Sequence, residues 1–366
     1  MKIAELTLKN YRNFVNETIT PGDGVNIIFG DNAQGKTNLL EAIWMFTGGR
    51  SFRGATDADL VTFQKKFGEL NIAFEAEQRK QTAQLRLINQ KRQVILNGIE
   101  KKTPSEMIGT FCASLFTPEH LGLVKEGPSG RRKFIDAAIC QIKPSYCSLL
   151  AQYRRTLLQR NTLLKDISYH SELIDTLEIW EQKLVKYGTL LVQHRRKYCR
   201  ILEEKSKKIY QGISNGKEEF SISYQTELFA TEGKPIKEIE ADYQERLQRG
   251  RKIDLQQGFT GIGPHRDDLF FQINEKSAKK FASQGQQRSI VLSLKLAEAE
   301  ILKEMLKEQP IVLLDDVMSE LDHKRQDFLL DTIRGWQVFI TCCDLDGIAR
   351  IENCRKFKIR NGCVLT

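Results

Sequence analysis

The sequence predicts an α/β fold, a mixed β-sheet with helices, in two halves separated by a helical, coiled-coil-like insertion. Three observations carry that prediction. An apolar run, Val25 to Phe29, leads through a glycine-rich turn into helically spaced Leu39, Leu40, Ile43 and Trp44, the strand, loop and helix order of a phosphate loop. A second apolar run, Ile311 to Leu314, ends in Asp315 and Asp316. Between the two, from Leu177, apolar or aromatic side chains recur in alternating steps of three and four at Trp180, Leu184, Tyr187, Leu191, His194, Tyr198 and Ile201, a heptad seam.

The remaining elements follow along the chain. Leu70 to Ala76, Ala83 to Ile88 and Gln93 to Leu96 read as strands, with Asn97-Gly98 as a tight turn, and sheet character continues to about residue 116. After Gly127-Pro128 the pattern becomes helical. Ser171 to Tyr210 is expected to form one helix of about 60 Å, paired antiparallel with Pro144 to Lys165 through a turn at Asp166 to His170. His194, the polar member of the seam, is read as core packing. Beyond residue 255, sheet returns, then an amphipathic helix over 286–305 with Ile290, Leu294, Ala297, Ile301 and Met305, a strand at Gln337 to Thr341, and a hairpin from Phe357 to Val364 turned by Asn361-Gly362. The predicted units are residues 1–125 and 256–366 as the two parts of a head, and 126–255 as the inserted arm.

The 366 residues are too many for one ordinary core. A charged fraction of 28% and the absence of any run of about 18 apolar residues exclude a helical membrane span. Met1 to Asn10 has no basic start, apolar centre or cleavage site, so the cytoplasm is the expected location and no membrane partner is expected. Eight cysteines without a CxxC pair argue for thiols rather than a disulfide framework. The net charge of +9 favours an anionic partner. Residues 151–210 hold 13 Lys or Arg against 7 Asp or Glu, a local excess of +6.

The motifs specify the chemistry more closely. Gly30-Asp31-Asn32-Ala33-Gln34-Gly35-Lys36-Thr37 fits G-x-x-x-x-G-K-[ST] between an apolar strand and a helix. Backbone N–H groups would close around the phosphates of ATP, Lys36 would reach the β- and γ-phosphates, and Thr37 would ligate Mg²⁺. Asp315, at the end of an apolar strand, is the second metal candidate, and Asp316 beside it is placed to orient or deprotonate water. Lys36 and Asp316 are therefore the catalytic candidates. Ser283, Gly285 and Gln286 open the next helix and form a candidate anion site. The order of phosphate loop, insertion, Ser-x-Gly at a helix start, Asp-Asp after a strand and then Ser319-Glu320-Leu321-Asp322 is that of an ABC-type P-loop ATPase head.

Lys9-Asn10-Tyr11-Arg12-Asn13-Phe14, Ser51-Phe52-Arg53, Gly261-Ile262-Gly263-Pro264-His265-Arg266-Asp267-Asp268, Ser283-Gln284-Gly285-Gln286-Gln287-Arg288 and Leu314-Asp315-Asp316-Val317-Met318-Ser319-Glu320-Leu321-Asp322 resemble the RecF proteins of bacteria across nearly the whole chain. The resemblance implies a head related to SMC proteins, in which two copies sandwich ATP. Lys36, Thr37 and Asp315 of one copy would hold Mg-ATP, and Ser283 and Gly285 of the other would cover its γ-phosphate. Arg12 and Asn13 would contact nucleotide, and Ser319 and Asp322 would communicate across the homodimer. It further implies binding of single-stranded DNA and duplex ends or junctions. Partnership with RecO and RecR type proteins in recombinase loading at gaps, replication restart and the SOS response is implied as well.

Two departures from wider ABC patterns matter. Asp316 replaces a longer Glu, so hydrolysis is expected to be slow; the resemblance implies that it is stimulated by DNA and coupled to dimer opening. Cys342 stands where many relatives have a switch histidine, leaving Thr341 as a candidate sensor of the γ-phosphate. For DNA, the basic stretch offers Arg154, Arg155, Arg160, Arg195, Arg196, Lys197, Arg200, Lys205, Lys207 and Lys208, against the alternative of a solvated charged face. A transporter ATPase would carry Asp-Glu-Pro after the second strand, and an SMC arm would need hundreds of inserted residues. A small-molecule kinase would leave Ser283 to Gln286 and Ser319 to Asp322 without a role.

Overall fold

The computed structural model describes residues 1–228, 235–345, 351 and 353–365. In chain order the first elements are β1 (Lys2–Tyr11), β2 (Phe14–Ile19), β3 (Val25–Phe29), α1 (Lys36–Met45), β4 (Phe67–Ala76), β5 (Arg79–Ile88), β6 (Lys91–Leu96), β7 (Ile99–Lys101) and β8 (Ala113–Phe116). Then come α2 (Gly122–Lys125), α3 (Pro128–Ile142), α4 (Pro144–Asp166), α5 (Leu177–Ile213), β9 (Phe220–Gln225) and α6 (Ile236–Gln257). The chain closes with β10 (Asp268–Ile273), β11 (Lys276–Ser277), α7 (Ala278–Phe281), α8 (Gln284–Leu306), β12 (Ile311–Leu314), α9 (His323–Thr332), β13 (Val338–Cys342), β14 (Arg355–Arg360) and β15 (Cys363–Leu365).

Two six-stranded sheets make the head. One, ordered β2-β1-β4-β5-β6-β7, is antiparallel throughout and alternates buried and exposed positions along β4, as a sheet covered on one face must. The other runs β15-β14-β3-β13-β12-β8, parallel except for its β15 edge. Its central strands β12 and β13 are buried at every position, which is why they read as continuous apolar runs. Helices β-strand neighbours pack on both faces: α1 with the antiparallel sheet on one side, and α8 with α3, α5 and their neighbours on the other. β12 lies between β13 and β8, and β13 lies between β12 and β3, so the carboxyl ends of β3, β12 and β13 are adjacent. That edge is where the phosphate loop, Asp315 and Thr341 meet, as expected of a parallel sheet.

The insertion differs from the predicted one in three ways. The long helix starts at Leu177, after a 3₁₀ turn over Ser171–Thr176, and at 37 residues is about 55 Å long. Half of its predicted seam is displaced by one residue: Leu177, Leu184, Leu191 and Tyr198 are buried, but the companion row is Glu181, Gly188, Arg195 and Leu202 rather than Trp180, Tyr187, His194 and Ile201. Apolar periodicity cannot find a buried row made of a carboxylate, a glycine and a guanidinium. Gly188 is there because a Cβ would lie 2.7 Å from the Tyr243 ring; Glu181 and Arg195 are there because they are ion-paired. Finally, β9 inside residues 126–255 pairs along its length with β10 beyond them, so the arm and the returning chain share a sheet. In α8, Met305 is exposed and the helix is buried on nearly all sides from Ser289 to Ala299, a central helix rather than the amphipathic one expected.

Candidate nucleotide-binding site

The loop between β3 and α1 is shaped by two glycines that no other residue could replace. Gly30 has φ 146°, and a Cβ there would sit 2.4 Å from the Ile359 carbonyl oxygen. Gly35 has φ 116°, with the Asn13 amide nitrogen 2.6 Å from the corresponding point. Asn13 holds the loop by donating to the Gln34 carbonyl (2.7 Å) while accepting from the Asn38 amide (2.9 Å). The β14–β15 turn braces it from the other side, with Asn361 N donating to Gln34 Oε1 (2.6 Å) and Gly362 N to Gln34 O (3.2 Å). Lys36 Nζ donates to the carbonyls of Gly30 (2.6 Å) and Asp31 (2.9 Å) and lies 3.8 Å from Cys343 Sγ.

Thr37 Oγ1 donates to Asp315 Oδ1 at 2.9 Å across 278 residues of sequence. Thr341 Oγ1 donates to the same oxygen at 2.9 Å and accepts from Asp316 N at 2.8 Å. Thr341 thus bridges the two aspartates. Burial pushes the Asp315 carboxyl above its ordinary pKa, against the two threonine hydroxyls that lower it and beside the like charge of Asp316. A threonine hydroxyl and a carboxylate at this spacing are hard oxygen donors of the kind Mg²⁺ takes, with water and phosphate completing its shell, so the residues fit the metal. Asp316 is partly exposed and holds a left-handed backbone (φ 53°). The thiol facing the phosphate loop is that of exposed Cys343, which also donates to Asn32 Oδ1 (3.0 Å); Cys342 is buried in β13.

These residues border a cavity of about 740 Å³ lined by Arg12, Asn13, Asn32, Ala33, Gly35, Lys36, Thr37, Asn38, Asp316 and Thr341, together with Arg53, Ala58, Asp59, Val61 and Phe63. Arg12 is fixed by Glu41 of α1, to which it donates from Nε (2.8 Å) and Nη2 (2.9 Å), and it donates from Nη1 to the Asp59 carbonyl (3.1 Å). Glu41 is wholly buried and also accepts from Ser51 and Tyr11. Burial raises its pKa, but the hydrogen bonds of Arg12 and Ser51 and the Arg12 charge outweigh burial and hold it below its ordinary value. The sequence reading missed Glu41 and the 58–63 segment. Ser51-Phe52-Arg53 was the available signal: Ser51 caps Glu41, and Arg53 Nη1 donates to Asn38 Oδ1 (2.8 Å).

Ser283, Gly285 and Gln286 do not line this cavity. They form the exposed or half-exposed first turn of α8, where Ser283 Oγ accepts from Gln286 N (3.2 Å) and Gln286 Oε1 accepts from Ser283 N (2.8 Å). The Gln286 amide is further engaged with Glu218 (2.7 Å). Ser319 lies within a 3₁₀ turn after Asp316 and Asp322 follows it: Ser319 Oγ donates to the Asp316 carbonyl (2.9 Å), and Asp322 caps α9 through Arg325 N (3.0 Å).

A profile of the RecF/RecN/SMC N terminal domain matches residues 2–364. The chain is 38% identical to the DNA replication and repair protein RecF of Lachnoclostridium phytofermentans, over 100% of this chain and 99% of that one. The chain belongs to the RecF family. It is 42% identical to RecF of Acetivibrio thermocellus over 94% of each chain. A solved structure of the recombination mediator protein RecF with ATP in the RecFOR pathway superposes with a TM-score of 0.92 at 37% identity, covering 100% of this chain and 97% of that one. An Smc head domain from Pyrococcus furiosus matches at TM-score 0.55 and 17% identity, over 99% and 95%, so the two share the head fold.

RecF membership leaves the basic stretch to be judged residue by residue, and two of its arginines are corrected. Arg195 is buried, donating to both carboxylate oxygens of Asp136 (2.9 and 3.0 Å). Arg160 has no exposed surface and joins Asp254 (2.7 Å) to Glu181 (2.9 Å). Neither reaches solvent, so neither can meet DNA; both neutralise carboxylates inside the arm. Arg154, Arg155, Lys197 and Arg200 are exposed and Arg196 is half-buried. Arg154 approaches Asp136 at 3.5 Å, which brings that part of α4 beside Arg195 on α5. The Gly261–Asp268 motif is a clasp on the arm: His265 Nδ1 meets Tyr153 Oη of α4 (2.7 Å), Arg131 of α3 pairs with Asp268 (2.6 Å), and a Cβ at Gly263 would strike the Tyr243 hydroxyl of α6 at 2.3 Å. Among the described residues, no helix is long and apolar enough to cross a membrane.

Proposed function

We propose that this chain is an ATP-binding recombination mediator of the RecFOR type, whose two copies close around two nucleotides and hold gapped or branched DNA. The observation that carries the reading is the separation within one chain of Lys36, Thr37, Asp315 and Asp316, gathered at one cavity, from the Ser283–Gln286 turn outside it. A second copy supplies the missing half.

The backbone of Gly30 to Gly35 and the Lys36 ammonium bind the phosphates, and Lys36 must exchange its two loop carbonyls for phosphate oxygens to do so. Mg²⁺, held by Thr37 and Asp315, would draw charge from the β- and γ-phosphate oxygens. Asp316 orients water and accepts its proton; Thr341, bonded to both aspartates, holds them in register and senses the γ-phosphate. A shorter carboxylate than Glu makes turnover slow. Val61 and Phe63 give the cavity an apolar wall, and Phe63, 86% exposed, stacks on the base. DNA is held through Arg154, Arg155, Arg196, Lys197 and Arg200 by phosphate contact, without base readout. RecO and RecR type proteins are the partners.

Sedimentation velocity of the protein on a labelled single-strand/duplex junction, with and without Mg-ATP, tests the reading. ATP should double the protein mass on the DNA, and Ser283→Arg, which obstructs the shared site, should stay monomeric. Mass and affinity indifferent to ATP would remove the paired-head mechanism.

A further inference from the structure

The first turn of α8 is accompanied by a cation that no motif singles out. Arg325, in the first turn of α9, donates from Nε to Ser289 Oγ on α8 (2.8 Å) and is ion-paired through Nη1 with Asp322. Its third nitrogen, Nη2, has no hydrogen-bond partner among the described residues and lies 3.3 Å from the point a Cβ on Gly285 would occupy. The side chain keeps 21% of its surface exposed. Any residue larger than glycine at 285 would press on the guanidinium; glycine leaves it uncovered at the turn.

Positive charge gathers at this turn. The N-terminus of α8 already carries roughly half a positive charge, and Arg288 stands one turn further on, paired with Glu320 (2.9 Å). Asp322 and Glu320 balance the two arginines and Glu218 holds the Gln286 amide beside them (2.7 Å), but no described residue accepts a hydrogen bond from the Nη2 of Arg325. An anion approaching Ser283 and Gly285 would be met by a hydroxyl, backbone N–H groups and this guanidinium together, and the guanidinium is the member carrying full charge.

We propose that Arg325 is a further nucleotide contact acting across the dimer, its Nη2 reaching the γ-phosphate held in the other copy's phosphate loop. The inference rests on the paired-head reading and adds to it the group that makes pairing depend on the third phosphate. Arg325 belongs to α9, directly after Ser319 to Asp322, so the same contact ties the turn that covers one nucleotide to the loop that follows Asp316 at the other.

The test measures dimerisation by sedimentation with Mg-ATP and with Mg-ADP, and nucleotide affinity at concentrations where the protein is monomeric. Arg325→Ala should weaken ATP-dependent dimerisation by roughly tenfold to a hundredfold per site, leave monomer affinity for ATP within about twofold, and erase the preference for ATP over ADP in pairing. Arg325→Lys, which keeps the charge but not the fork, should recover part of the loss. Ser289→Ala, which removes only the internal bond from Nε, should pair nearly as wild type. If Ser289→Ala matches Arg325→Ala, the arginine merely braces α8 and the inference fails; it fails equally if Arg325→Ala pairs normally or if monomer affinity falls. Normal pairing of Ser283→Arg would instead overturn the paired-head reading, and that outcome does not involve Arg325.

Discussion

Glu41→Gln tests whether the nucleotide cavity depends on a side chain that never touches it. Glu41 is fully buried and takes two guanidinium donors from Arg12 at 2.8 and 2.9 Å, with Ser51 and Tyr11 donating to the same carboxylate. Glutamine keeps the shape but turns one acceptor oxygen into a donor, so one Arg12 bond is lost and a buried amide N–H faces other donors. Hydrogen bonds to charged groups are worth about 1.5–3 kcal/mol each, and an unpaired buried donor costs a further 1–3 kcal/mol or so. Arg12 is then no longer held at the cavity wall. What appears in ATP affinity is the part Arg12 itself contributes, about one charge-assisted bond to phosphate, or roughly tenfold to a hundredfold in Kd. Calorimetry on monomeric Glu41→Gln, Arg12→Ala and the double variant measures it. Since both changes remove the same contact, the double variant should bind about as weakly as either single one. Additive losses would refute the reasoning, as would an unchanged affinity for Glu41→Gln.

Three further outcomes are expected. Arg160→Met strands Glu181 and Asp254 in the arm and should cost about 3–5 kcal/mol in chemical denaturation, while leaving the salt dependence of DNA binding unchanged; Arg200→Ala should do the reverse, reducing the slope of log K against log salt by about one phosphate contact. Phe63→Ala should weaken ATP and ADP alike by roughly tenfold, and Phe63→Trp should report nucleotide by fluorescence. Burial holds His265 down at a pKa of about 4 and raises Asp267 to about 6. The folded state therefore binds fewer protons at His265 and more at Asp267 than the unfolded chain between those limits. The His265 contribution is lost as pH falls from 6.5 through 4, and the Asp267 contribution is lost as pH rises through 6. Each amounts to about 3 kcal/mol, so they nearly cancel in the wild type. His265→Gln removes one, and the stability gap between the two proteins measured by urea unfolding should shift by about that amount between pH 6.5 and pH 4, with the wild type losing ground on acidification.

The elements that frame the candidate site were legible wherever they were local. Gly30 to Thr37 announces itself because strand, turn and helix are contiguous, and Asp315-Asp316 because a fully buried parallel strand must be apolar up to its end. Leu177, Leu184, Leu191 and Tyr198 placed one side of α5 for the same reason: a repeat of apolar side chains records a buried face. The other side went wrong at Trp180, Tyr187 and His194, since burial there is decided by ion pairs, Glu181 with Arg160 and Arg195 with Asp136, and a charge in sequence does not reveal whether its partner waits in solvent or in the core. Arg195 and Arg160 were assigned to the DNA-facing surface by that same ambiguity.

The sequence by itself picked out the candidate groups for phosphate, a divalent cation and water, because those requirements call for residue types at short fixed spacing. Only the tertiary structure decided how they are aimed. Thr341 bridges Asp315 and Asp316, Glu41 pins Arg12, Asn361 and Gly362 brace Gln34, and Arg325 reaches from α9 to Ser289 beside Gly285. Each of these joins different elements of the chain, and the hydrogen bond or charge that joins them exists only once the fold has packed those elements together.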